Sequence, residues 1–87
     1  MKFKNRRGFT VPYNQQGLIY FTCINYARQP TEMQHKILNL CVQCGGEHYQ
    51  ALFMAVTTGR NIRPIAQEHY IDESWLWRMV KKFYENW

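Results

Sequence analysis

Apolar residues recur along this chain at helical spacing, most clearly near its C-terminus. Leu76, Met79, Val80, Phe83 and Trp87 stand at i, i+3, i+4, i+7 and i+11, the repeat of a single buried stripe. Ser74, Arg78, Lys81 and Glu85 fall on the opposite side, with Trp77 at the border. The pattern predicts a helix over about 73–86 with a buried seam and a basic outer face. Asp72 precedes it as an N-cap whose carboxylate suits the positive helix end, and Glu73 reinforces it. Upstream, Met33, Ile37, Leu40, Cys41 and Cys44 share one face of a predicted helix over 32–44, and Thr31 and Gln34 have the spacing of a capping box. Gly45 and Gly46 end that helix. Tyr49, Leu52, Phe53 and Val56 form the stripe of the next, which stops near Gly59. Pro64 is tolerated only in a first turn, so a short helix is predicted from about Arg63 to His69. Residues 13–28 are rich in Ile, Phe, Thr and Tyr, which suit strands as well as helices. A helix is the preferred reading there; the alternative is a small hairpin with Phe9, Thr10 and Val11, which would be marginal without more sheet to join.

The pattern therefore predicts an all-α protein, a small bundle of four to five short helices. Its 87 residues suffice for one core and no second domain. The fourteen aromatic residues supply enough burial to argue against disorder. No internal repeat or low-complexity tract is visible.

Charge changes the picture in one respect. The formal excess is +5, which favours nucleic acid, an anionic membrane or an acidic protein as partner. Lys2, Lys4, Arg6 and Arg7 supply most of it, with no acid among the first ten residues. The sequence thus divides into a basic N-terminal arm, residues 1–12, and a single helical domain, residues 13–87. The arm reads either as a solvated terminus or as a contact to phosphates. No apolar stretch approaches the ~20 residues that cross a bilayer, and the N-terminus lacks the features of a signal peptide. No membrane association and a cytoplasmic location are expected. An odd number of cysteines, Cys23, Cys41 and Cys44, suits a reducing compartment.

Two kinds of chemistry can be weighed. Cys41-Val-Gln-Cys44 has the outline of a zinc knuckle that Cys23, His35 or His48 could complete, but no second such pair exists. Both cysteines share the apolar face of Ile37 and Leu40, where a thiol acts as a small hydrophobe; core packing is the preferred reading. His35, His48 and His69 have no acidic partner at a telling spacing. No enzymatic activity, metal or other cofactor is expected.

A short helix, a tight turn and a longer helix with a basic outer face, in RPIAQEHYIDESWLWRMVKK, make up a helix-turn-helix over about 61–87. Ala66 is small where the second helix crosses the first, and Ile65 and Ile71 fill the angle between them. The stretch from Asn61 to Arg78 resembles the helix-turn-helix family at its small-residue and apolar positions. That family commonly has Gly in the turn where this chain has Tyr70, which pushes Tyr70 toward an uncommon backbone conformation or changes the turn. The chain also resembles short proteins of prophages and integrative elements of Firmicutes, through LCVQCGGEHYQALFMAVTT followed by IAQEHYIDESWLWRMVKKFYENW.

The expected function is that of a small regulator binding double-stranded DNA. Lys2, Lys4, Arg6, Arg7, Arg60, Arg63 and Lys82 would hold the backbone, and Ser74, Trp77, Arg78 and Lys81 would meet base edges. A homodimer is expected because one such helix reads only a few base pairs. Asp72 and Glu73 count against this reading, since they sit where the second helix would approach phosphates. The alternative is a host protein partner, an enzyme, polymerase or defence nuclease bound by the same basic, aromatic face. Trp75, Trp77, Tyr84 and Trp87 either cap the core or, where exposed, form a dimer seam or stack on a partner.

Overall fold

The computed structural model describes residues 10–87; residues 1–9, which include Lys2, Lys4, Arg6 and Arg7, lie outside the described residues. Five α-helices follow one another: α1 (Tyr13–Ile24), α2 (Thr31–Gly45), α3 (Tyr49–Thr58), α4 (Ile62–Glu68) and α5 (Glu73–Glu85). Short 3₁₀ turns, Tyr26–Arg28 and Gly46–His48, join α1 to α2 and α2 to α3. No strand forms among the described residues, so the segment that allowed a hairpin is helical. Gln16, buried within α1, donates from Nε2 to the Val11 carbonyl at 2.8 Å and pins the entering chain to the helix.

The start of α2 differs from expectation. Thr31 lies inside the helix and caps nothing; Pro30 occupies the cap position, and the Gln34 backbone N–H donates to its carbonyl. The Gln34 side chain turns to the Tyr26 carbonyl at 2.9 Å instead of closing a capping box, because the 3₁₀ turn before α2 presents that carbonyl within reach. Gly46 (φ 56°) and Gly59 (φ 70°) then end α2 and α3 in positive-φ conformations that a Cβ disfavours.

The core gathers Ile19 and Cys23 of α1, Ile37, Leu40, Cys41 and Cys44 of α2, and Leu76, Met79, Val80 and Phe83 of α5 around α3. On α3 the buried residues are Ala51, Leu52, Ala55 and Val56, with Tyr49 and Phe53 half-buried. The expected stripe is therefore rotated. Two alanines on the inner face let neighbouring helices approach closely, which moves the large rings to the flank. On α5, Tyr84 is also buried, while Trp87, just past the helix end, stays partly exposed, tilted against Phe83 with Lys36 Nζ 4.2 Å from its ring. The radius of gyration is 11.9 Å, close to the ~12 Å of a single domain of this length.

Cys23, Cys41 and Cys44 are free and buried among these apolar residues. Burial pushes the Cys23 and Cys41 thiols up to about 12, and Cys44 is raised for the same reason. Core packing is thus their role. Among the described residues, no three His, Cys, Asp or Glu side chains converge on a possible metal position.

Candidate nucleic-acid interface

Helices α4 and α5 meet at the turn 69–72. Ile65 and Ala66 of α4 are fully covered, Ile71 packs partly against the core, and Leu76 and Met79 of α5 close the other side. The turn is built by two nested hydrogen bonds. The Tyr70 N–H donates to the Gln67 carbonyl at 3.2 Å, and the Ile71 N–H reaches back to the Ala66 carbonyl at 3.0 Å. This is the Schellman arrangement that ends a helix, and it requires a left-handed residue between cap and exit. Tyr70 takes that conformation, with φ 56°, the sole non-glycine among the described residues to do so. The turn keeps its ordinary geometry, and the strain falls on the tyrosine.

Asp72 then starts α5. Its Oδ1 accepts from the Ser74 N–H at 3.0 Å and from the Ser74 hydroxyl at 2.9 Å. These bonds, with the charge of Arg78 nearby, hold the Asp72 carboxyl below its ordinary range. The Ser74 hydroxyl is therefore already engaged at the helix start.

The structure separates the cations named from sequence into two groups. Arg60 and Glu68 form an ion pair at 2.8 Å, and Arg63 Nε meets Glu73 at 3.0 Å. The first pair raises the Arg60 guanidinium and lowers the Glu68 carboxyl. Both arginines are exposed but charge-compensated, and Arg63 also offsets one of the two acids at the head of α5. Arg78, Lys81 and Lys82 are exposed and make no ion pair among the described residues. With Ser74 and the partly exposed Trp77, they form the outer side of α5, opposite the fully covered Leu76 and Phe83.

One relation was not legible in the sequence. Thr10, the first described residue, donates its hydroxyl to Glu85 Oε2 at 3.0 Å. The point where the basic N-terminal segment joins the domain therefore lies beside the last turn of α5, 75 residues away in sequence. Hydrogen bonding between an exposed threonine and an exposed glutamate carries no hydrophobic signature, so no periodicity could reveal it.

An apolar groove opens nearby. Leu38 of α2, Tyr49, Gln50, Phe53 and Met54 of α3, and His69 of the turn line a cavity of about 370 Å³. Beyond it, Trp75 of α5 stands edge-on to His48, with centroids 5.3 Å apart. No described helix is long and apolar enough to cross a membrane. Comparison of the chain with protein-family models, curated proteins and solved structures finds no match.

Proposed function

We propose that this chain binds double-stranded DNA through α5 and its basic N-terminal segment, acting as a transcriptional or accessory regulator of a mobile element. The observation that carries the reading is the outer face of α5. It presents three cations uncompensated by ion pairs, Arg78, Lys81 and Lys82, on a helix held from behind by a buried seam. A helix mounted this way on a short partner helix can enter a major groove about 12 Å wide. Arg78 and Lys81 would approach base edges, and Lys82 would hold phosphate. Arg60 and Arg63 contribute less than their charge suggests, because each already has a carboxylate partner. In this reading the protein performs no covalent chemistry.

A second reading, docking on a host protein through the same face, is favoured by Asp72, whose carboxylate stands at the groove-facing start of α5. The two readings diverge in salt dependence. A mobility-shift titration of duplex DNA should show affinity falling by tenfold or more between ~50 and ~200 mM salt, and loss of binding in Arg78→Ala/Lys81→Ala. Binding to no duplex, or binding indifferent to salt, overturns the DNA reading.

A further inference from the structure

We propose that the chain self-associates through a reciprocal contact in which Tyr70 of each copy enters the apolar groove of the other. Tyr70 is the starting point. It bears a left-handed backbone that glycine would adopt without strain, and its side chain is 96% exposed. Among the described residues that side chain makes no hydrogen bond, ring pair or cation contact. Neither backbone energy nor packing within one copy is served by an aromatic ring at this position. Strain held in an exposed side chain points to a contact made outside the monomer.

The groove supplies the matching half. Leu38, Tyr49, Gln50, Phe53, Met54 and His69 line it, and none of them is an Asp, Glu, Lys or Arg. An uncharged apolar surface accepts a neutral phenol ring, whereas a phosphate or an ionised peptide side chain would lose its hydration there without compensation. The Tyr49 hydroxyl, the Gln50 amide and the His69 imidazole are the side-chain polar groups of the lining residues that could meet a buried phenolic hydroxyl.

Placement selects a second copy as the occupant. His69 forms part of the groove and Tyr70 is the next residue, so projection and recess share one rim. Both belong to the same surface patch, which is what an isologous two-fold interface needs: each copy contributes the same projection and the same recess. Two tyrosine rings bury roughly 150–250 Å² each, and the groove walls that receive them about as much again, for a total near 600–1,000 Å². That area lies at the lower edge of specific interfaces, so the expected association is concentration-dependent and of micromolar strength. The outer face of α5 takes no part, and the inference stands or falls apart from the DNA reading.

Sedimentation equilibrium of the full chain in reducing buffer tests it. The apparent mass should rise from 10.6 kDa toward twice that value as concentration increases through the micromolar range. Tyr70→Gly removes the ring and relieves the backbone, so it should melt at a higher temperature than the parent while associating at least ~10-fold more weakly. Gln50→Glu, which sets a carboxylate in the groove at an exposed position, should weaken association similarly. Leu18→Glu, on the exposed side of α1, should leave it unchanged. A parent chain that stays monomeric at ~500 µM overturns the proposal. So does Tyr70→Gly or Gln50→Glu associating as the parent does, or Leu18→Glu abolishing association as Tyr70→Gly does.

Discussion

At the residue scale, the buried thiols show how environment overrides intrinsic chemistry. A Cys-x-x-Cys pair is a metal or redox signature only when its sulfurs reach a ligand or solvent as thiolates. Here Cys23 and Cys41 lie among aliphatic side chains, with thiols pushed up to about 12 from an ordinary value near 9. The neutral thiol is the form that folding favours. Stabilisation from these groups is therefore complete below about pH 9 and is lost as pH rises from there toward 12. The unfolding free energy from urea titrations in reducing buffer should fall over that interval, by an amount of order 2 kcal/mol per thiol at pH 11. Cys23→Ala/Cys41→Ala should start less stable, from lost packing, and show a flatter pH dependence. An equal slope in the variant would assign the alkaline loss to other groups.

At the scale of the element, α5 carries two demands on two faces. Its inner face is covered at Leu76, Val80 and Phe83, so truncation there leaves a cavity. Phe83→Ala should cost about 3–5 kcal/mol in chemical denaturation, a large share of what a domain of this size has. Lys81→Ala on the outer face should change stability by less than about 0.5 kcal/mol and, in the DNA reading, still impair binding. This division was readable from the i, i+3, i+4, i+7 repeat, because each side chain's direction follows from helical geometry alone. The start of α2 was not readable in the same way. Whether Gln34 closes a capping box or reaches Tyr26 depends on where the preceding 3₁₀ turn places a carbonyl, and a spacing of three residues is the same in both cases. The rotation of α3 toward Ala51 and Ala55 is likewise a packing outcome: the period fixes that a face is apolar, and close approach by neighbours decides which apolar face is innermost.

At the scale of the whole molecule, charge is concentrated where sequence and fold meet. Residues 10–87 hold seven Lys and Arg against six Asp and Glu, and two of the arginines are paired with carboxylates. Of the other five, Arg78, Lys81 and Lys82 sit on one side of α5, while Arg28 lies in the turn after α1 and Lys36 on α2 against the Trp87 ring; the N-terminal segment, with four more, joins the domain beside the end of α5 through Thr10 and Glu85. If both regions contact one duplex, removing residues 1–9 should lower the slope of log affinity against log salt by up to about 3.6, from four phosphate contacts at ~0.9 each. A titration with the truncated chain measures this, and an unchanged slope would show that the segment stays off the DNA.

Hydrophobic periodicity, Pro64, the glycine-rich ends and Asp72 act locally, so α2 to α5 and the two faces of α5 were legible in the amino-acid order, whereas residues 13–28 suited strand and helix alike until packing made them α1. The chain also left two outcomes for the turn before Ile71, an uncommon backbone at Tyr70 or an altered turn, and the structure takes the first. Only the tertiary structure decided which cations remain uncompensated, because the Arg60–Glu68 and Arg63–Glu73 pairs bring together residues eight and ten positions apart on different segments. It alone also set the groove beside Tyr70 and the root of the basic segment beside α5. Those arrangements depend on distances between helices, which local pattern does not encode.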